Sequence, residues 1–451
     1  MSSSDNHVQY LLAPLEYTLA KPFLDQITSS TAPALEVRQT SDGKGKGVFA
    51  RQGVSEDELL FRERALVGAQ HSSNKAEILA CSQCFCFVGS IEAQIAWRLT
   101  NEGHAGGTVQ RLQQGLKLPF SDQFSLPPIV SCPGGCTDEV YCSRACADAA
   151  WTEHHSLLCC GRDDQGSAQQ RTLLDRGTAS SSESRETACS NVGAMREFRE
   201  FADATNDIFH VAARATARVC LHAQAQLQGA MHTLGEEQAW TALQQAWLPF
   251  AVGWKAVWWE SIAVPEDIED EATFRAELRD LAEESLDLLK PALAAQASAF
   301  PALFDLRVYG SIIGMFELNN LGMVVPSVVE RYLLHVYMDR ADPEILAQQH
   351  AARKILDPLR EQLGDAYDQP CEGTAFYSLQ SCINHSCDPN AHAMKGPEDL
   401  DGSAVLLAKR GINAGEEITI SYIDESMEYE DRRVALLDYG FECRCVRCRN
   451  I

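Results

Sequence analysis

The chain has 451 residues, 45% of them hydrophobic and 22% charged, with a formal net charge of -25. This is the composition of an ordinary globular protein large enough for two or three cores. No run of about 18 apolar residues that would span a membrane occurs, and the acidic balance, without a dense Lys/Arg block, argues against direct nucleic-acid binding; its sign suits a basic protein partner, while charge alone is first accounted for by solubility.

The start, MSSSDNHVQYLLAPLEY, has neither the basic nor the apolar region of a secretory signal. Residues 32 to 68 end in GKGKGVFARQGVSEDELLFRERALV, whose alternation and β-branched residues predict short strands around a glycine turn. A cysteine-rich section runs from Cys81 to Cys160, with a helical stretch at GSIEAQIAWRLTNEG. The Ser/Thr/Gln/Arg-rich stretch from Asp163 to Ser190 reads as a disordered linker.

Residues 191 to 362 read as mainly helical. Trp240, Trp247 and Trp254 recur every seven residues and Trp258 adds a turn, which predicts a buried helical stripe rather than an aromatic ligand box. Between Glu266 and Asp287, ten acidic residues accompany Phe274, Leu278 and Leu281, the pattern of an amphipathic helix with a solvated acidic face. From residue 372 short strands return, in TAFYSLQSC, SAVLLAKR and EEITISYI, and from Glu428 a short helix leads into YGFECRCVRC. No repeat of solenoid period is present.

Seventeen cysteines, many in CxxC-like spacings and without a secretion signal, favour metal ligation over disulfides. Cys81-x2-Cys84, Cys132-x3-Cys136, Cys142-x3-Cys146, and His154 or His155 before Cys159 make eight ligands, enough for two closed tetrahedral zinc ions. Such ions would supply the folding energy of a section too polar to hold a core. Cys443-x-Cys445-x2-Cys448 is one ligand short of a third, and Cys387 is the natural candidate. Cys86, Cys160, Cys189, Cys220, Cys371 and Cys382 remain as small buried residues or free thiols. His385 beside Cys387, in QSCINHSCDPN, could also be read as a hydrolytic pair, but a zinc thiolate is not a free nucleophile.

In order, GKGKGVFA, the eight-ligand module, NHSCDPN, GEEITISY and YGFECRCVRC resemble the SET–MYND (SMYD-type) protein-lysine methyltransferases. The stretched zinc module is similar to that of the fifth SMYD member and its plant trithorax-related counterparts. So is a chain stopping just after the last cysteine cluster, where most members continue into a TPR-like helical domain. The resemblance implies an α+β chain with a split SET β-fold. Its N-terminal part would span 32–80, a MYND zinc module 81–160, a linker 161–190, a helical insert 191–362, the SET core 363–426 and a zinc-binding post-SET segment 427–451.

It further implies S-adenosylmethionine as methyl donor and three structural zinc ions, on Cys81, Cys84, Cys142 and Cys146; on Cys132, Cys136, Cys159 and a histidine; and on Cys387, Cys443, Cys445 and Cys448. His155-x3-Cys159 matches the family's step and is preferred, while His154 better fits the distance after Cys146. Lys44, Gly45, Lys46 and Gly47 would approach the methionine end of the cofactor, with glycine leaving room for close approach. Asn384, His385 and Asn319 would hold the cofactor, and Phe441 would stack on adenine. Tyr422 would orient the amine at the transferring methyl, with Tyr439 and Tyr377 lining a lysine channel. The implied substrate is a histone or another basic protein, in the nucleus or cytoplasm, with proline-containing peptides as partners of the zinc module. The alternative is a non-catalytic adaptor using that module alone.

Overall fold

The computed structural model describes residues 3–40, 44–104, 106–162, 185–227, 235–265, 268–319, 321–363 and 369–449. Most of the expected linker, 163–184, lies outside them, as do positions 266 and 267 of the acidic stretch.

Among the described residues, twelve short strands are distributed over small sheets. Strands β1 (Leu35–Gln39) and β2 (Lys46–Ala50) form an antiparallel hairpin, with Leu35 opposite Ala50 and Gln39 opposite Lys46. Its tip closes where the Thr40 amide donates to the Gly45 carbonyl, and Gly45 has φ +84°, a backbone state that glycine adopts at no steric cost. Strands β3 (Leu59–Glu63) and β4 (Val67–Gln70) follow. The chain returns to this framework some 250 residues later, as β7 (Leu321–Val325) and β8 (Cys371–Phe376) pair to make the sheet β4-β8-β7.

The remaining core strands are β9 (Asn384–His385), β10 (Ala391–Ala393), β11 (Ala404–Ala408) and β12 (Glu417–Ile420). They complete the sheets β10-β11-β3 and β1-β2-β12-β9. In the latter, β12 runs antiparallel to β2 and parallel to β9, with Thr419 opposite Asn384 and Ile420 opposite His385. Alternation in β12 buries Ile418 and Ile420 and turns Glu417 and Thr419 the other way, the period-2 rule for a half-buried strand.

Between Cys81 and Cys160 a two-stranded ribbon, β5 (Val130–Ser131) with β6 (Val140–Tyr141), precedes the Arg144–Ala150 helix. Ser143 caps that helix by accepting the Cys146 amide, and a widened turn at Trp151–His155 carries both histidines inward.

The helical region centres on Ile208–Gln226, whose alanines 212, 213, 215 and 217 are buried. The Leu306–Asn319 helix packs beside it. Its Gly310 and Gly314, four apart on one face, admit the Trp259 ring and the Ala256 carbonyl: a Cβ would come within 2.4 Å of the first and 2.1 Å of the second. The acidic stretch forms the Glu271–Ala292 helix, capped by Asp270, with its carboxylates exposed and Leu278 and Leu281 packed on the core.

The tryptophan stripe requires correction. Trp247 and Trp258 are buried, and Trp240 stacks on His7. The helix from Glu236 ends at Ala251, however, and the chain turns at Gly253, where a Cβ would meet the Phe376 ring at 2.9 Å. Trp254 therefore leaves the helical face and is 60% exposed. Two N-terminal helices, Ser3–Leu12 and Tyr17–Thr31, bury Leu11, Ala20 and Leu24. No helix among the described residues is long and apolar enough to cross a membrane.

Candidate active site and cysteine centres

A cavity of about 1060 Å³ lies where β9, β12 and the β1–β2 tip meet the last cysteine cluster. Lys44, Lys46, Asn319, Asn384, His385, Tyr422, Tyr439 and Phe441, all singled out in the sequence, line it.

Most of them are tied in by a hydrogen bond. Asn384 Nδ2 donates to the Lys46 carbonyl at 2.7 Å and to Glu417 Oε1 at 2.7 Å, and Lys44 Nζ meets Glu417 Oε2 at 3.2 Å. Glu417 is thus the hub that ties the hairpin tip to the NHSC turn. Asn390 clamps the same strand by accepting from the Thr419 amide and donating to the Glu417 carbonyl.

His385 is buried, and its Nδ1 accepts the Tyr422 amide at 3.0 Å while Nε2 lies 3.2 Å from Cys387 Sγ. Burial, then Lys44 and Arg432, push its pKa down to about 4, so the ring is neutral at ordinary pH. With Nδ1 accepting, the hydrogen-bond network places the ring proton on Nε2, facing the sulfur. The ring is a donor to Cys387 and has no lone pair there to remove a thiol proton. That tautomer disfavours the hydrolytic-pair reading.

Tyr422 Oη donates to the Ile383 carbonyl at 2.5 Å, and burial raises its phenol well above the ordinary value. It stays protonated, with its proton committed to Ile383 and its lone pairs left to accept. The Tyr439 hydroxyl donates to the Tyr422 carbonyl at 3.3 Å, and the two rings are 5.1 Å apart between centroids. Phe441 packs 5.8 Å from the His385 ring.

Three expectations change. Tyr377 does not line the cavity: it is buried elsewhere, where its hydroxyl donates to the Gly402 carbonyl at 2.5 Å. Gly45 and Gly47 are not in the cavity wall either. Gly45 serves the turn, while a Cβ on Gly47 would lie 2.6 Å from Glu417 Oε1 and 3.0 Å from Asn384 Nδ2, so the close approach is to the chain's own side chains. Asn319 spends its amide on the backbone of Trp254, accepting the N–H at 3.0 Å and donating to the carbonyl at 2.6 Å. It sets Trp254 at the cavity rim.

Sequence reasoning passed over Trp254, Glu417 and Asn390. The second and third stood in quoted motifs, and strand alternation alone would have put Glu417 beside Thr419 on the cavity face.

The cysteines gather as three four-residue clusters, each with its ligand atoms within 4.8 Å of one another: Cys81, Cys84, Cys142 and Cys146; Cys132, Cys136, His155 and Cys159; Cys387, Cys443, Cys445 and Cys448. Sulfurs 2.3 Å from a tetrahedral zinc stand about 3.8 Å apart. The observed separations are 3.6 Å for Cys84–Cys142, 3.7 Å for Cys132–Cys159 and 3.5 Å for Cys387–Cys448. His155 Nε2 is 3.2 Å from Cys132 Sγ, and His154 is buried outside the cluster. These centres are compatible with zinc. Around the third, Arg432 lies against the Cys387 and Cys448 thiols, and Arg447 donates to the Cys387 carbonyl. Both cations would offset the charge of four thiolates holding a metal ion.

An imidazole on β9 and a tyrosine just past the end of the parallel strand β12, tied to the N-terminal hairpin tip and faced by the last cysteine cluster, belong to a SET-type methyltransferase. The SET domain family model matches residues 45–423, and the chain belongs to that family. It is a member of the SET–MYND protein-lysine methyltransferases, enzymes that use S-adenosylmethionine. Histone-lysine N-methyltransferase ATXR2 of Arabidopsis thaliana is 41% identical over 98% of this chain and 96% of its own length. Protein-lysine N-trimethyltransferase SMYD5 of Homo sapiens is 26% identical over 92% of this chain and 86% of its own. Histone-lysine N-methyltransferase SMYD3 of Mus musculus is 48% identical over 17% of each chain.

The cavity suits that donor. Its volume is at the upper end of the roughly 300–1,000 Å³ range for cofactor-sized pockets. Lys44, Lys46 and Arg410 stand beside Glu416 and Glu417, offering both signs of charge to a zwitterion with a sulfonium, and Trp254 and Phe441 offer flat apolar faces.

Proposed function

We propose that this cavity transfers a methyl group to a lysine of a basic protein, a histone tail being the substrate class that its relatives' names and the net charge of -25 favour. The observation that carries the reading is the convergence of Lys44 and Lys46 with Asn384, His385, Tyr422, Tyr439 and Phe441 on one cavity, Asn384 bonding Lys46 across 338 residues of sequence. S-adenosylmethionine supplies an already activated methyl, so the protein's task is alignment rather than covalent catalysis.

Asn384, Lys44 and Lys46 hold the cofactor's amino-acid end, and Phe441 and Trp254 cover its flat end. Tyr422, a phenol that keeps its proton, accepts from the incoming amine and holds it in line. No general base is needed, because a desolvated site beside a cation lowers the pKa of the lysine amine. The three cysteine centres hold three zinc ions, two folding the module and one fixing the flap that carries Tyr439 and Phe441. Proline-containing peptides as partners of the module, and action in the nucleus, belong to the same reading. No observation favours the adaptor alternative.

Transfer of labelled methyl to histones and to a cell extract tests the assignment. Wild type labels protein, and Tyr422→Phe loses on the order of 100-fold, the scale of one preorganised polar group. Equal labelling by both would overturn the role of Tyr422, and none by the wild type the substrate class.

A further inference from the structure

Glu63, the last residue of β3, lies outside the cavity wall and outside the three cysteine clusters. Its carboxylate is nevertheless committed to the backbone that leads into the NHSC turn. Oε1 accepts the Leu379 amide at 2.8 Å and Oε2 accepts the Gln380 amide at 2.9 Å. These amides open the one-turn helix Gln380–Cys382, and the first N–H groups of a helix have no partner within it. Leu379, at the capping position, has no side-chain acceptor to offer. The cap comes instead from a strand 316 residues away in sequence.

What the turn delivers is a carbonyl. Within it the Ser381 amide donates to the Tyr377 carbonyl at 2.9 Å, Cys382 to Leu379 at 3.0 Å and Ile383 to Gln380 at 3.0 Å. The Ile383 carbonyl then accepts the Tyr422 hydroxyl at 2.5 Å. One residue further on, β9 begins, held by its pairing of Asn384 with Thr419 and His385 with Ile420. Ile383 thus sits at the join between a turn pinned by Glu63 and a strand pinned by β12. Leu379 and Ile383 are buried, so water is poorly placed to replace a missing cap.

We infer that Glu63 is a positioning residue for methyl transfer: by capping this turn with both carboxylate oxygens it fixes the Ile383 carbonyl, and through that carbonyl it commits the Tyr422 proton and aims the Tyr422 lone pairs at the lysine amine. The cofactor's hold does not pass through it, because Asn384 has its own anchors in the Lys46 carbonyl and Glu417 Oε1, both at 2.7 Å. In Glu63→Gln one oxygen still accepts an amide, while the side-chain NH2 meets the other N–H donor to donor. The inference rests on the role of Tyr422 proposed above.

A double-mutant cycle in the full-length chain tests it, with labelled methyl transfer to histones for kcat and titration calorimetry for the cofactor Kd. The assays run at pH 8, above the raised Glu63 pKa of about 7. Glu63→Gln should lower kcat about tenfold and move the cofactor Kd less than about twofold; in the Tyr422→Phe background the same change should cost less than about twofold. An unchanged kcat, an equal loss in both backgrounds, or a Kd that worsens in step with kcat overturns the positioning role. Equal rates for wild type and Tyr422→Phe overturn instead the reading of Tyr422, and this inference with it. Should Glu63→Gln not fold, Glu63→Asp, which keeps the charge and shortens its reach by one methylene, goes through the same cycle with the same outcomes.

Discussion

Removal of Arg214 is the most informative test of how the zinc module is attached. Arg214 and Glu139 are 6% and 5% exposed. Arg214 Nη2 donates to Glu139 Oε1 at 2.9 Å and to Oε2 at 3.1 Å, and Nη1 donates to the Gly68 carbonyl at 2.6 Å and the Ser82 carbonyl at 3.3 Å. One guanidinium from the helical region thus fastens strand β4, the first cysteine loop and the β6 segment. Burial alone would push the Glu139 carboxyl up, but Arg214 and then Lys75 hold it well below the usual carboxylate range. The pair's contribution is therefore present above the unfolded carboxylate pKa and is lost only in strong acid.

Arg214→Met leaves a buried carboxylate with one half-exposed lysine at 3.5 Å, at a cost of about 3–5 kcal/mol. The orphaned Gly68 carbonyl adds about 1–3 kcal/mol. Arg214→Met with Glu139→Leu removes both charges and should cost less than Arg214→Met alone by about 2 kcal/mol or more. Urea unfolding of wild type, both single variants and the double variant at pH 7.5 gives the coupling. If the double variant costs the sum of the singles, the buried-pair argument is wrong.

Gly47→Ala should push the Glu417 carboxylate off Asn384 and Lys44. That loses two charge-assisted contacts at the cofactor's edge, hydrogen bonds to charged groups being worth about 1.5–3 kcal/mol each. Cofactor affinity by titration calorimetry should fall about tenfold or more, with the unfolding midpoint little moved; unchanged affinity would separate this network from the cofactor. Glu63 accepts the Leu379 and Gln380 amides beneath the NHSC turn, and burial raises its pKa to about 7 against those bonds. Its folded value lies above the unfolded one, so stability from this group is full below about pH 4.5 and declines by up to about 3 kcal/mol as pH rises through 7. The penalty of Glu63→Gln in urea unfolding should shrink correspondingly between pH 5 and pH 8, and a pH-independent penalty would refute the assignment.

The chemistry of this chain was legible where it is written locally. Cys443-x-Cys445-x2-Cys448 and NHSC show ligand types at fixed spacing, and the alternation of β12 reads directly from EEITISYI, although the strand ends at Ile420, two residues before Tyr422. What depends on long-range packing was not legible. A seven-residue tryptophan period says nothing of Gly253, where contact with Phe376 ends the helix and releases Trp254 to the cavity rim. Tyr377 sits one residue beyond β8, and its hydroxyl's partner, Gly402, decides where it points. Asn319 carries the right chemistry for a cofactor contact, yet its amide is taken by the backbone of a loop 65 residues earlier.

The bonds that frame the cavity join residues 338 apart, Asn384 to Lys46, and 373 apart, Lys44 to Glu417. During synthesis at roughly 5–20 residues per second, the hairpin tip emerges and waits about 20 seconds or more for its partner strand. Over that interval the β2 edge that later receives β12 is an unpaired template, the kind of strand edge that recruits other chains. The zinc module lies wholly within the interval and can close on its own ions first. Metal supply during translation thus becomes a determinant of yield, and zinc-starved expression should send newly made chains into aggregates before any cofactor pocket exists.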